Sequence, residues 1–426
     1  MKNEEDSSIK REICRIAVRQ REYIKAFLKW LAAAVIIGGI CGLVGTAFYH
    51  CVAYATKLRG EYPWLLFLLP VCGLAIAGLY RLLKMENDKG TNLIIASVQA
   101  NVTVPLRMSL LIFVSTVLTH LFGGSAGREG AALQIGGAMG AAGAKLIHAD
   151  ESMRKILTLC GMSAVFSALF GTPLTAAIFC IEVINIGIFY GAELLPCLVS
   201  ALTAYFTADA LGVTPEKYTI VSAPSFTPVS VLQVVVLGVV CALMSTVFCI
   251  AVHRTAELFH GKIKNAYIRA AFGGVLIVLL TLVFGRDYNG AGGNIIEKAI
   301  EGSAVPWAFA VKLLFTAITL GTGFKGGEIV PSFYVGATLG CVIGPLIGLP
   351  ASFSAAMCLV GVFCGVVNCP IASIILSFEL FGGENILFFA VVCAVSFVLS
   401  GEYSLYSSQK LMFSKIGPEI ICRHAH

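Results

Sequence analysis

Two glycine-flanked glutamates are the residues of this chain most able to do chemistry. In Gly123-Gly-Ser-Ala-Gly-Arg-Glu-Gly-Ala-Ala-Leu-Gln-Ile-Gly-Gly, Glu129 falls between two apolar stretches, at the first turn of a helix predicted to begin near Gly130. A charged side chain at membrane depth is costly and marks a function by default. A helix N-terminus presents unpaired N–H groups and the positive end of the macrodipole, so it holds either a carboxylate or a free anion in one place. Ionised Glu129 would occupy that place and protonated Glu129 would leave it, coupling anion passage to a proton. The plainer alternative is a cap that pairs with Arg128, although a capping pair does not need the surrounding glycines.

The second glutamate lies in Gly321-Thr-Gly-Phe-Lys-Gly-Gly-Glu-Ile-Val-Pro-Ser-Phe-Tyr-Val-Gly. Its glycines allow close backbone approach, and Pro331 suits the first turn of the helix that follows, where its missing N–H would be an orphan in any case. Glu328 is then a second buried carboxylate near a helix start, with a cap paired to Lys325 as its alternative. In Lys89-Gly90-Thr91-Asn92-Leu93-Ile94 a charged loop turns into an apolar segment. Thr91 and Asn92 fit an N-cap there, and their donors could equally face an anion. Tyr406, in Ser404-Leu-Tyr-Ser-Ser408 after the last apolar run, either points its hydroxyl into the same path or belongs to an interfacial aromatic belt.

The elements that must hold these residues are membrane helices. The 426 residues are 58% hydrophobic and 13% charged, where soluble domains are roughly 45–50% apolar and 25% charged. A mean hydropathy of +0.87, spread along the whole length, places most of the chain in a bilayer and excludes an ordinary soluble enzyme. Apolar runs fall near 31–50, 64–82, 106–122, 155–187, 194–212, 231–252, 270–284, 307–320, 332–349, 354–367, 370–382 and 386–400. Several are shorter than the roughly 20 residues a spanning helix needs. Short apolar segments broken by Gly and Pro read as re-entrant or broken helices, which membranes tolerate only inside protein or beside a cavity.

An internal duplication organises these runs. Gly171-Thr-Pro173 through Glu182 is matched by Asn368-Cys-Pro370 through Glu379, with nine residues from Pro to Glu in both. Upstream, Gly127-Arg-Glu-Gly130 followed by Gly136-Gly-Ala-Met-Gly140 is echoed by Gly326-Gly-Glu328 followed by Gly336-Ala-Thr-Leu-Gly340. The expected organisation is a basic segment 1–30, a first membrane repeat 31–215, a connector 216–230, a second repeat 231–410 and a tail 411–426. Repeats of this kind bring half-helix ends together near the bilayer midplane.

The net charge of +6 is topological, because 8 of the 30 basic residues lie within 1–29, before the Leu31–Tyr49 segment. The positive-inside rule puts that end in the cytoplasm, and it is too charged to be a cleaved leader. No nucleic-acid partner is implied. The fifteen cysteines lack metal-binding spacing and read as small buried hydrophobes; His424 and His426 read as a solvated tail. No zinc site, cofactor motif, phosphate-binding loop, His-Glu-x-x-His pattern or G-x-S-x-G elbow is present, so neither an ATP-driven pump nor an enzyme is expected. The stretch after residue 410 is too short for a regulatory domain, which leaves control to the membrane part or the N-terminal segment.

Together, Gly127-Arg128-Glu129-Gly130, Gly327-Glu328-Ile329-Val330-Pro331, the paired Pro-to-Glu segments and Leu405-Tyr406-Ser407 resemble the CLC family of chloride channels and anion/proton antiporters over about residues 30–410. The resemblance implies an all-α polytopic membrane protein, an inverted repeat of short, tilted and re-entrant helices, assembled as a homodimer in the bacterial inner membrane. It implies a halide path at Gly90, Thr91, Asn92, Gly127, Arg128, Gly130, Gly327, Ile329, Val330 and Tyr406, with Glu129 and Glu328 gating and handling protons. Three departures matter. The family's serine-proline anion loop is Gly90-Thr91-Asn92-Leu93-Ile94 here, Ile329 replaces a phenylalanine with Glu328 just before it, and Val183 stands where many antiporters carry an internal glutamate. This pattern resembles the fluoride-exporting bacterial subset; a chloride/proton antiporter or passive chloride channel is the alternative.

Overall fold

A computed structural model describes residues 2–100, 102–417 and 419–425, and among them the chain folds as two successive sets of eight helices. The first set is α1 (Lys2–Glu61), α2 (Leu69–Leu82), α3 (Thr91–Ala100), α4 (Arg107–Phe122), α5 (Glu129–Leu146), α6 (Glu151–Phe170), α7 (Pro173–Glu182) and α8 (Leu194–Ala210). The second is α9 (Pro228–Lys262), α10 (Ala266–Phe284), α11 (Gly293–Ile300), α12 (Ala308–Gly321), α13 (Ile329–Leu346), α14 (Ala351–Val367), α15 (Pro370–Phe381) and α16 (Ile386–Leu399). Packing recurs in register: α5 lies on α6 as α13 lies on α14, α1 on α8 as α9 on α16, and α4 on α5 as α12 on α13. The halves meet through α2 with α10, α5 with α13 and α7 with α15.

Glycine spacing explains the central pairs. A Cβ at Gly136 or Gly140 of α5 would strike the backbone carbonyls of Gly161 or Leu157 in α6. Gly336 and Gly340 of α13 meet Cys358 and Ser354 of α14 in the same way. Membrane helices gain little from the hydrophobic effect between themselves, so small residues that let backbones touch carry the association. Among the described residues seven helices are long and apolar enough to cross a membrane, and seven more apolar helices span only 10–17 residues. The short ones depend on neighbouring protein to cover their ends.

The structure corrects several boundaries. The 155–187 run is two helices, broken at Gly171 with φ +70 and restarted at Pro173. The basic segment 1–30 is not separate: α1 runs unbroken from Lys2, because no Pro or Gly interrupts its helix-forming residues before Gly38. The second set begins at Pro228, inside the expected connector, with Thr227 and Ser230 forming a capping box around that proline. The connector is also less free than a linker, since Glu216 N–H donates to Phe170 O at 3.3 Å and Tyr218 N–H to Leu380 O at 2.9 Å. No apolar run marked α11, a single short amphipathic helix.

The 411–426 tail is partly a sheet rather than a solvated end. β1 (Asn185–Ile186) pairs in parallel with β2 (Lys410–Phe413), which pairs antiparallel with β3 (Ile420–His424). His424 therefore lies opposite Lys410, while His426 falls outside the described residues. The tail is fastened by Lys415, whose Nζ donates to Asn368 Oδ1 and, at 3.0 Å, to Ser400 Oγ. Burial lowers the Lys415 amine to about 8. All thirteen described cysteines are free and only Cys51 is exposed.

Candidate anion site at the crossing of the repeats

The loops before α5 and α13 cross and bond. Gly127 N–H donates to Gly327 O at 2.7 Å and Gly327 N–H returns to Gly127 O at 2.8 Å, an isolated antiparallel bridge. A Cβ on Gly327 would come within 2.5 Å of Gly130 N and 3.0 Å of Glu129 N, so the backbones can approach only because the residue is glycine. Each helix starts within two residues of this bridge, which sets both N-termini at one point of the molecule.

Glu129 is the first residue of α5 and fully buried. Its Oε2 accepts from the Arg128 N–H at 2.8 Å, while Oε1 has no hydrogen-bond partner and lies 3.6 Å from Arg128 Nε. Arg128 is engaged more closely elsewhere: Nη2 reaches Glu216 Oε1 at 2.7 Å and the guanidinium stacks over the Tyr49 ring at 4.8 Å. The cap paired to Arg128 therefore exists, but it is loose enough to leave one carboxylate oxygen unclaimed.

Glu328 immediately precedes α13, yet its Oε2 lies 3.1 Å from the point a Cβ on Gly130 would occupy. It thus turns across the bridge to the first turn of α5. Lys325, its expected partner, instead stands over the Tyr80 ring at 4.4 Å and forms no ion pair with it. Tyr406 is fully buried, its hydroxyl has no hydrogen-bond partner, and Glu328 and Glu129 are among its electrostatic neighbours. Ile329 and Val330 are buried, with apolar side chains, in the first turn of α13.

The Gly90 segment joins the same assembly without acting as a cap. Gly90 sits at φ +58, and Thr91 and Asn92 are the first two residues of α3. Thr91 Oγ1 donates to Gly130 O at a long 3.4 Å and accepts from Gln134 Nε2 at 3.2 Å. Asn92 Oδ1 accepts the Ser408 N–H at 2.9 Å, which ties the Tyr406 segment to α3. Both side chains face tertiary partners because the helix lies against α5, a circumstance local sequence does not reveal.

Outward from Glu129 runs a cavity of about 790 Å³ lined by Arg59, His120, Arg128, Glu216, Arg286, Asp287, Val330 and Phe333 among others. Sequence reasoning missed Arg59, His120, Glu216 and Gln134, which stand singly in unremarkable surroundings. It marked Glu182 and Glu379 as a repeat without a role. Each carboxylate caps the opposite repeat's helix: Glu182 accepts from Ile371 N–H and Ala372 N–H at 3.1 and 2.8 Å, and Glu379 from Leu174 N–H and Thr175 N–H at 3.0 and 2.8 Å. Pro173 and Pro370 lack the first N–H, so these carboxylates take the next two orphan donors.

The chain belongs to the voltage gated chloride channel family, which it matches over residues 72–401. It is 36% identical over 404 residues to a chloride/fluoride channel protein of Pseudomonas syringae pv. tomato, covering 93% of this chain and 89% of that one. Among solved structures it superposes on a CLC-type fluoride/proton antiporter with a TM-score of 0.86 at 31% identity, over 90% of this chain and 98% of the other. A slow cyanobacterial Cl⁻/H⁺ antiporter shares the fold at 19% identity, with a TM-score of 0.74 over 87% and 94% of the two chains.

Proposed function

We propose that this protein exports fluoride in exchange for protons through a path gated by Glu129, working as a homodimer in a bacterial inner membrane with its N-terminus in the cytoplasm. The observation that carries the reading is the second carboxylate at the α5 N-terminus, Glu328 against Gly130. Fluoride is small, strongly hydrated and a strong acceptor, so its dehydration must be offset by several close donors or by sharing a proton with a carboxylic acid. The first-turn N–H groups of α5, the unpartnered Tyr406 hydroxyl and two carboxyl groups are that kind of set. Val183 is buried and carries no proton, and neighbouring Glu182 is committed to capping α15. A proton route through Glu328 and Glu129 stands in for one through that position. The likeness to a chloride/fluoride channel protein and to a fluoride/proton antiporter supports the reading.

The test is anion efflux from proteoliposomes loaded in turn with fluoride and chloride, with internal pH recorded, for the wild type and Glu129→Ala. Fluoride efflux well above chloride, with proton uptake that disappears in the variant, is the expected result. Chloride flux equal to fluoride would make this an ordinary chloride transporter of the family, and flux without proton movement would make it a channel.

A further inference from the structure

The cavity outside Glu129 contains polar groups that this gating does not use. Arg59, near the end of α1, lines it and donates from Nη1 to the His120 carbonyl at 2.6 Å. Among the described residues Arg59 forms no ion pair, whereas Arg128 is held by Glu216. His120, on α4, lines the same cavity and is 1% exposed. Its Nδ1 lies 2.9 Å from the Thr116 carbonyl one turn back. A carbonyl only accepts, so Nδ1 carries the hydrogen and the neutral ring presents Nε2 as a bare acceptor. That Nε2 is buried and no protein group donates to it.

Lys312 stands nearby with a second buried cation, its Nζ given to the carbonyls of Tyr288 and Gly290 at 3.1 and 2.6 Å rather than to a carboxylate. The other charged residues lining the cavity are Lys57 from α1, Arg128 before α5, Glu129 of α5, Glu216 of the connector, and Arg286 and Asp287 of the α10–α11 loop. The helical turn Pro63–Leu68, which also packs on α4, adds only apolar lining, and α2 adds none.

A guanidinium that only donates beside an imidazole nitrogen that only accepts suits an anion that brings its own proton. We propose that Arg59 and His120 form an outer site for hydrogen fluoride, the fluorine accepting from Arg59 and the hydrogen donated to His120 Nε2. This rests on the fluoride reading above. If the proton transfers fully, the H–F bond breaks, an Nε2–H bond forms and the electron pair stays on fluorine, leaving fluoride between guanidinium and imidazolium. No other reactant is needed. Fluoride and proton then strengthen one another's binding by linkage, at the mouth where one leaves and the other enters.

The experiment is the initial rate of fluoride uptake into proteoliposomes against external sodium fluoride, at about pH 5.5 and about pH 8, for the full-length wild type, His120→Asn and His120→Gln. Asparagine keeps a donor for the Thr116 carbonyl and removes Nε2; glutamine keeps a polar group near Nε2 that does not titrate. In the wild type the half-saturating fluoride should fall at least about fivefold on acidification, as each fluoride bound at the site brings a proton with it. In both variants it should change less than about twofold, with uptake at pH 8 retained. Superimposed pH profiles for wild type and both variants would overturn the site while leaving fluoride transport standing. Absence of fluoride uptake in the wild type at either pH would overturn the functional reading, and this site with it.

Discussion

Gly127 and Gly327 exchange backbone hydrogen bonds as equals, yet the next residues diverge. Arg128 follows the first glycine and Glu328 the second; Glu129 then opens α5 where Ile329 opens α13. Arg128 turns outward to Glu216 and Tyr49, while Glu328 turns back across the bridge to Gly130. Both carboxylates therefore lie at the start of α5, and the side chains that open α13, Ile329 and Val330, are apolar. By contrast, Glu182 and Glu379 are placed and bonded alike, each on two N–H groups of the other repeat. Backbone contact tolerates no difference between the halves, so symmetry persists where glycines and caps hold the fold. Side chains beyond the bridge carry no such constraint and have specialised.

The sharpest way to break this contrast is to neutralise the two site carboxylates separately. Glu129→Gln is predicted to cut proton-coupled fluoride flux about a hundredfold or more, equivalent to roughly 2.7 kcal/mol at the barrier, and Glu328→Gln about tenfold. Equal losses in a proteoliposome flux assay would mean that the carboxylates do not divide gating and proton supply between them; intact coupling in Glu328→Gln would remove its proton role.

Next are the symmetric contacts. Gly136→Ala and Gly336→Ala each drive a methyl into the backbone of the neighbouring helix, and each should cost about 3 kcal/mol through displaced helices. Thermal unfolding in detergent checks this; a large drop in only one variant would show that the halves do not depend equally on their α5–α6 and α13–α14 packing. The reciprocal caps should matter less. Glu182→Gln and Glu379→Gln each weaken two charge-assisted hydrogen bonds, a loss of about 1–3 kcal/mol, with Glu182 the larger because it is 7% exposed and Glu379 only half-buried. The reverse order of melting temperatures would overturn that ranking.

Smallest of all is Glu216→Gln, which frees Arg128 to hold Glu129. Because Glu216 is one-third exposed, the pair is worth under about 1 kcal/mol. The expected result is a two- to threefold slower flux with unchanged proton coupling, since Glu129 would be detained without being altered. An accelerated flux would show that Arg128 does not restrain the gate.

Much of this architecture was legible before any coordinates. Hydropathy and short apolar runs announced broken membrane helices, and the repeated glycine and Pro-to-Glu segments announced two related halves. Gly127, Glu129, Gly130, Gly327, Glu328, Thr91, Asn92 and Tyr406 all lie in the assembly around the bridge. Local reasoning failed where a side chain's partner is distant in sequence: Thr91 and Asn92 look like caps but bond to Gly130 and Ser408, and His120 and Arg59 are ordinary residues until a cavity brings them together.

The sequence by itself determined that several of the apolar helices are short and interrupted by glycine and proline, and that both halves have the same nine-residue spacing from Pro to Glu. Those follow from backbone conformation, which each residue imposes on its neighbours. Only the tertiary structure decided that Glu182 caps α15 and Glu379 caps α7, that the Glu328 carboxylate lies beside Gly130 in the first turn of α5, and that Lys415 fastens the tail. Orphan N–H groups and buried charges must find partners, but nothing in the local chain specifies which; packing supplies the nearest one.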